Sequence, residues 1–201
     1  MKLFTAAVAA STILLGAVAV DAADQTAPVS ESHAQADVTE VLGIRLATAT
    51  RDIARAALKA ASVPAQREDN RYWYDLYDAS GLLQGADSLA LGYSMATGKL
   101  GRVSYTFPAF MDSGKVKEVG EMVATKYGRP NRASGNVGLG PVKYTWMLSD
   151  GVVLTVSRGW PDTSVEMAYE IPAVARQMQK EQAENDRAEK ESAAKRQSHN
   201  F

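Results

Sequence analysis

Apolar residues along the chain recur with two different periods. Within residues 51–62 they return every three or four positions and form an apolar stripe, which predicts a helix that ends before Pro64. The stripe consists of Ile53, Ala57, Leu58 and Ala61. Residues 114–127 repeat that period, and the following Gly128 suits the left-handed backbone that often ends a helix. Two helices are therefore expected. The residues expected to cap their starts are Thr50 in the first helix and Asp112 or Ser113 in the second.

After each helix, apolar and polar residues alternate in three short runs, as in strands that bury one face. The dipeptide Asp150-Gly151 predicts a hairpin within the second set. The pattern therefore predicts an α+β fold in which a helix-then-three-strand unit occurs at about residues 41–108 and again at 109–171. We expect one antiparallel sheet of about six strands, with both helices on one face and the other face open. The runs are RYWYDLYD, SLALGYS and RVSYTFP, then VKYTWML, VVLTVSR and SVEMAYEI.

The N-terminal part differs in composition from the predicted domain. Residues 1–23 contain a lysine, an Ala-rich apolar stretch and small residues before Ala22 or Ala23, which is typical of a cleaved signal peptide. A membrane anchor is the alternative, but the stretch is barely long enough and contains hydroxyl side chains. Residues 24–40 are polar and predict a flexible leader. The mature protein is therefore expected in the periplasm or outside the cell.

Residues 172–201 predict a charged helical tail. Val174, Ala175 and Met178 can dock its first turns on the domain, but the remainder has no apolar stripe. We expect a solvated helix there. The alternative is a helix that binds a partner or acts as a spacer.

Charge and composition argue against several classes of function. The net charge is −1, so no cationic surface for nucleic acid is expected. The chain has no cysteine, which excludes disulfides, thiol chemistry and a lipid-modified cysteine as a stable membrane anchor. Its two histidines, His33 and His199, lie in the leader and at the end of the tail. We therefore expect no metal, no cofactor and no histidine-based catalytic site.

Two other segments resemble known kinds of site. GNVGLGP, residues 135–141, leads from a helix into a strand, whereas phosphate-binding loops lead from a strand into a helix, so we expect a flexible loop. SRGWPDTS, residues 157–164, lies between two strand-like runs and predicts a turn, in which Ser157 has no histidine to activate it. Trp160 at this turn either folds over the edge of the core or faces a partner.

The open face of the sheet is the expected binding surface. Alternation in RYWYDLYD places Trp73 and Tyr77 on that face, and exposed aromatic, methionine and charged side chains are typical of protein interfaces. The alternative is that the tail helix or a loop covers these rings. The residues predicted to bind are Arg71, Trp73, Tyr77 and Met147 on the face, with Arg158, Trp160 and Asp162 at the turn.

In pattern, residues 41–171 resemble two groups of small bacterial envelope proteins. The segment LGIRLATATRDIARAAL is similar to the strand-turn-helix openings of both, and KYGRP is similar to the Gly-x-Pro helix end of the second. The first group is the beta-lactamase-inhibitor-protein-like family, whose open sheet carries aromatic residues and binds a partner protein. The second is the small outer-membrane assembly lipoprotein family, whose acylated cysteine this chain lacks. The resemblance implies a two-unit α+β fold but assigns no individual binding residue.

These observations favour an exported, non-enzymatic domain that binds another envelope or secreted protein. One alternative is a small-ligand binder or a carboxylate-based enzyme acting on cell-wall material through Asp75 and Tyr77. Another is a structural envelope protein in which the tail acts as a spacer.

Overall fold

The computed structural model describes residues 38–159, 161 and 163–198, so the predicted signal peptide, most of the predicted leader, Trp160 and Asp162 lie outside the described residues. We number ten strands and three helices in chain order. They are β1 (Glu40–Val41), β2 (Ile44–Arg45), α1 (Arg51–Ala60), β3 (Ala65–Arg67), β4 (Tyr74–Asp78), β5 (Ser88–Tyr93), β6 (Leu100–Pro108), α2 (Lys115–Tyr127), β7 (Arg132–Ser134), β8 (Val142–Met147), β9 (Val153–Arg158), β10 (Ser164–Glu170) and α3 (Pro172–Ser198).

The fold is α+β with a large antiparallel sheet, as predicted, but the sheet has eight strands rather than about six. The strand order is β3-β4-β5-β6-β10-β9-β8-β7, and β1 and β2 form a separate hairpin. The two strands that the sequence pattern missed are β3 and β7, which have three residues each and lie at the two edges. Strands this short do not show an alternating pattern. Helices α1 and α2 are thus each followed by four strands of the large sheet.

Pairing of neighbouring strands determines which side chains share the helix-covered face. Tyr77 pairs with Leu89 and Asp75 pairs with Leu91, and all four are buried. Since directly paired residues lie on the same face, Asp75 and Tyr77 belong to the covered face. The predicted position of Tyr77 on the open face is therefore wrong. The side chains of β4 that face the core, Asp75 and Tyr77, are offset by one position from those that the alternating pattern predicts. The pattern fails here because it does not treat a carboxylate as a core residue.

Helix α1 starts at its predicted cap, where the Thr50 side chain accepts a hydrogen bond from the Ile53 amide. Its buried side chains are Arg51, Ala54 and Leu58, whereas Ile53 is 54% exposed. The predicted apolar stripe that included Ile53 is therefore rotated away from the core. The rotation directs arginine side chains of α1 toward the buried Asp75.

Helix α2 packs closely on the second half of the sheet. A side chain at Gly120 would collide with the Tyr144 ring, 2.8 Å from its Cδ2, so the missing Cβ allows the helix to approach β8. The cap predicted at Asp112 or Ser113 lies one or two residues too early, because Gly114 is the N-cap and Asp112 Oδ1 accepts its amide proton. Gly128 ends the helix at φ +75°, as predicted.

Helix α3 docks over one end of the face opposite α1 and α2. Its Met178 fills a notch at Gly92 and Gly101, where added Cβ atoms would lie 2.9 and 2.4 Å from the Met178 side chain. Farther along, Glu181 accepts hydrogen bonds from Ser94 Oγ (2.8 Å) and the Met95 amide (2.9 Å). Beyond these contacts the helix is exposed. Among the described residues, no helix is long and apolar enough to cross a membrane.

We expect the docking of α3 to weaken in acid. Although partial burial acts to raise it, hydrogen bonds from Ser94 and Met95 hold the pKa of Glu181 below its ordinary value of 4.5. A carboxylate with a depressed pKa stabilises the folded state above pH 4.5, and this contribution is lost as the pH falls through the lower folded-state value. The Met178 methyl resonance, followed by NMR between pH 6 and pH 2, reports this loosening. A Glu181→Gln variant removes this titration, and an unchanged titration there would contradict the assignment.

Candidate binding site at the loop end of the sheet

Three loops meet at one end of the large sheet. They are the β6–α2 loop (residues 109–114), the β7–β8 loop (residues 135–141) and the described residues of the β9–β10 turn (Gly159, Pro161 and Thr163), which we call together the loop cluster. The amides of Ala109 and Phe110 both donate to the Thr163 carbonyl, which joins the first loop to the turn. A Cβ on Gly138 would lie 3.7 Å from Ser113 Oγ, which places the second loop beside the first.

The loop cluster exposes large apolar side chains. Within the part of the chain that the structure describes, the three most exposed large apolar residues are Met111 (94%), Leu139 (83%) and Phe110 (73%), and all three lie in these loops. Val137 adds a fourth exposed apolar side chain from the β7–β8 loop. Such a concentration at one end of a domain is typical of an interaction surface, whereas single exposed apolar residues are ordinary.

The backbone that carries Phe110 is strained and firmly held. Phe110 has φ +42°, a conformation that side chains other than glycine rarely adopt. Arg158 holds the strained segment from β9, because its Nη2 donates to the Phe110 carbonyl at 2.9 Å and its Nη1 donates to the Asp112 carbonyl. Strained residues persist only where such surrounding contacts determine them, and they concentrate at functional sites.

Arg158 has a structural role that the sequence does not predict. The sequence places it at the β9–β10 turn as a residue that contacts a partner, but its side chain is buried and bonded to the β6–α2 loop. The predicted contact of Arg158 with a partner stays a prediction. In the structure Arg158 positions the apolar residues of the loop cluster. The other two residues predicted at this turn, Trp160 and Asp162, lie outside the described residues.

The β7–β8 loop is closed at its base by a tight backbone crossing. Gly135 has φ +85°, and a Cβ there would lie 1.9 Å from the Pro141 carbonyl oxygen, so no other residue fits this position. The Leu139 amide donates to the Asn136 carbonyl and forms a turn at the tip. Leu139 is thus presented at the end of a constrained loop.

The residues predicted on the open face are not brought together. Arg71 is exposed and pairs with Asp69, whose pKa its guanidinium lowers to about 2. Trp73 is half-buried before β4, and its carbonyl accepts the Tyr93 amide proton. Met147 is exposed at the end of β8 farthest from the loop cluster. No single surface therefore contains Arg71, Trp73, Tyr77 and Met147.

The open face itself is mainly small and polar. Its centre is an ion-pair network in which Arg102 binds Glu166 (2.7 Å) and Glu170 (3.1 Å). Strand register also places on this face Lys143, Thr145, Thr155 and Glu166, as the alternating pattern predicts. Near α3, the Tyr74 ring lies against Gly92 beside Met178. The face therefore has less aromatic surface than the sequence predicts.

The acidic and phenolic groups near Asp75 form a closed network. Both carboxylate oxygens of the buried Asp75 accept hydrogen bonds from Arg55, each at 2.8 Å. The Tyr77 hydroxyl donates to Glu68 at 2.7 Å. Burial is the larger cause, and this hydrogen bond the smaller one, of the raised pKa of Tyr77. A carboxylate held in this way already has its partners and is poorly suited to serve as a general base. The described residues also contain no group of three metal-ligating side chains close enough to share an ion.

The loop cluster was not predicted as a site, although it contains the turn that was. A partial signal was available, because Ala109, Phe110 and Met111 form an apolar run after β6, where a polar helix cap was expected. Leu139 stands alone among glycines and gives no such signal. Their proximity arises only from the sheet order and the short connections.

No protein-family model matches the chain, and no curated protein is significantly similar to it. Among solved structures, the chain is similar to the crystal structure of a DUF4309 family protein (YjgB) from Bacillus subtilis subsp. subtilis str. 168. The two share 15% sequence identity with a TM-score of 0.38, and the match covers 64% of this chain and 83% of that chain. This likeness assigns neither a function nor a site to the present chain.

Proposed function

We propose that the protein is an exported, non-enzymatic binding domain that contacts another protein of the cell envelope through its loop cluster. One observation carries the proposal: the three most exposed large apolar side chains of the described residues lie together there. Keeping Met111, Leu139 and Phe110 in water forgoes the free energy that burial would provide. A partner that covers them recovers it.

Charges around the loop cluster favour a protein partner over a lipid surface. Lys115 pairs with Glu118 at 2.9 Å, Lys117 pairs with Glu121 at 3.7 Å, and Asp112 adds a further acid. Membrane-binding surfaces typically combine apolar residues with an excess of lysine and arginine. An apolar centre with a rim of both charges is instead the usual composition of a protein interface.

Export and duplication complete the proposal. We infer that residues 1–23 are removed as a signal peptide, which places the domain in the periplasm or outside the cell. We also infer that the two halves are copies of one unit, now of one helix and four strands. The strand order supports this inference, because β3 to β6 and β7 to β10 run from the two edges to the centre.

Replacing Phe110 and Met111 together by serine is expected to abolish partner capture. Central apolar residues of an interface each contribute about 2 kcal/mol or more, which is about thirtyfold in the dissociation constant for one residue. Because such effects do not add fully, we expect the double variant to weaken the dissociation constant by about thirtyfold to a thousandfold. The fold should be retained, because both side chains are exposed and their removal changes the free energy of unfolding by less than about 0.5 kcal/mol. The measurement is crosslinked capture from envelope extract, followed by titration of the purified partner.

Met147→Ser is the matched control, since it removes an exposed methionine at the end of β8 that lies farthest from the loop cluster. This variant and Trp73→Ala should capture the same partner as the parent chain. Loss of capture with Met147→Ser, and not with the loop variant, would place the interface on the open face and refute the loop-cluster proposal.

A further inference from the structure

A pocket of about 260 Å³ lies on the helix-covered side of the sheet, away from the loop cluster. Its floor is the centre of the sheet at β6 and β10, and its walls are α2, the β1–β2 hairpin and the loop before β5. It is larger than the roughly 150 Å³ cavity that accommodates benzene in a protein core. The aliphatic side chains that line it are Val41, Leu42, Leu82, Leu83, Met122, Val123 and Met167.

One buried tyrosine of the pocket has a hydroxyl with no hydrogen-bond partner among the described residues. Tyr105 lines the floor and is 4% exposed, yet its hydroxyl forms no hydrogen bond with any described residue. By contrast, the hydroxyls of Tyr127 and Tyr169, which also line the pocket, lie 3.4 Å apart and pair with each other. The Tyr105 oxygen is not among the fully enclosed polar atoms that lack a partner in the described residues, so it can be reached from the pocket. Burial raises the pKa of Tyr105 to about 12, so this hydroxyl stays neutral and able to donate.

The rim of the pocket carries one charge of each sign. Lys126 lies on α2 with its ammonium 5.0 Å from the centre of the Tyr127 ring, and Glu40 lies on β1. With one cation and one anion at the entrance, neither an anionic nor a cationic ligand is favoured. The chemistry of the pocket therefore matches an uncharged molecule.

We propose that this pocket binds a small, uncharged, apolar molecule with one carbonyl oxygen, which accepts a hydrogen bond from the Tyr105 hydroxyl. The aliphatic walls bury the body of such a ligand, and the carbonyl supplies the partner that Tyr105 lacks. Pockets of this composition, mostly apolar with a few polar groups that fix orientation, are the usual form of small-molecule sites. The proposal is independent of partner binding at the loop cluster.

Two probes of matched shape test the proposal: acetophenone and isopropylbenzene, which differ in a carbonyl oxygen. Binding is followed through ¹³C-labelled methionine methyl groups by NMR, because Met122 and Met167 line the pocket whereas Met111 and Met178 do not. We expect both probes to shift Met122 and Met167. In Tyr105→Phe we expect acetophenone to bind about threefold to tenfold more weakly, with isopropylbenzene unchanged, which is the range of one hydrogen bond.

Two further variants locate the binding. Leu83→Trp places an indole in the pocket and should abolish binding of both probes. Ile53→Trp, a similar change at an exposed position of α1, should leave binding unchanged. Unshifted Met111 and Met178 resonances in the free variants confirm that the fold is retained.

Three results would overturn the proposal. The first is that neither probe shifts the Met122 and Met167 resonances. The second is that Leu83→Trp binds both probes as the parent does. The third is that Tyr105→Phe weakens the binding of both probes equally or changes the binding of neither. If Tyr105→Phe fails to fold, the parent titration and the Leu83→Trp variant still decide whether the pocket binds apolar carbonyl compounds.

Discussion

Replacing Asp75 by alanine is expected to lower the free energy of unfolding by about 3–5 kcal/mol, because it leaves the buried Arg51 and the partly buried Arg55 without their counter-charge. Asp75 is fully buried, and Arg55 binds both of its oxygens. Arg51 lies 3.9 Å from the same carboxylate and over the Tyr93 ring. In the parent chain the hydrogen bond with Asp75 raises the pKa of Arg55 above its ordinary value. In the variant the guanidinium still remains charged, because the ordinary pKa of arginine already lies far above neutral pH. Urea denaturation followed by circular dichroism measures the loss.

Asp69→Ala is the matched control for this prediction. It removes a carboxylate from the nearby pair with Arg71, whose side chain is exposed to solvent. Exposed ion pairs contribute little to stability, so this variant should unfold close to the parent. If Asp69→Ala and Asp75→Ala lower the free energy of unfolding by similar amounts, burial of the Asp75 carboxylate is not the reason for the importance of its ion pair with Arg55.

Replacing Trp146 by alanine is also expected to cost about 3–5 kcal/mol of unfolding free energy. Trp146 is the largest of the fully buried side chains, and its Nε1 donates to the Gly128 carbonyl at 2.9 Å. The indole therefore joins the end of α2 to β8. The alanine variant opens a cavity beneath the helix and releases this connection, and the same urea titration detects the change.

Two other variants show how much of the stability lost in Trp146→Ala comes from the lost volume, the lost hydrogen bond or the removal of an aromatic ring as such. Trp146→Phe keeps a ring in place and should cost clearly less than Trp146→Ala, since Gly128 is exposed and its carbonyl can turn to water. Phe110→Ala removes an exposed aromatic ring and should change stability by less than about 0.5 kcal/mol. A Trp146→Ala variant as stable as Phe110→Ala would contradict the assigned packing.

Elements whose signals are local were predicted well from the sequence. Thr50 caps α1 and Gly128 ends α2 because capping depends on the residue and its immediate neighbours. The Asp150-Gly151 hairpin joins β8 to β9, although its loop spans residues 148–152 rather than two residues. Six sheet strands long enough to alternate were found by their period, and the three-residue strands β3 and β7 were not.

The features that the sequence did not predict depend on contacts between distant segments. The face on which Tyr77 lies follows from the buried pairing of Asp75 with Arg55, twenty residues earlier. In the sequence Arg158 is a charged residue at a turn, which is typical of a binding residue. In the structure its hydrogen bonds hold the 109–114 loop in place. A hydrophobic pattern treats every charged residue as a surface residue, so it cannot anticipate buried charges that have partners.

By itself the sequence determined the α+β class, the antiparallel strands, the start of α1, the end of α2 and the charged C-terminal segment, because periodicity and capping are properties of neighbouring residues. Only the tertiary structure decided that Phe110, Met111 and Leu139 lie at one end of the sheet, and that Tyr105 lines a pocket without a hydrogen-bond partner. Both arrangements require segments far apart in the chain to be brought together by the pairing of β6 with β10 and the packing of α2. That proximity depends on strand order and register, which a pattern along one chain does not contain.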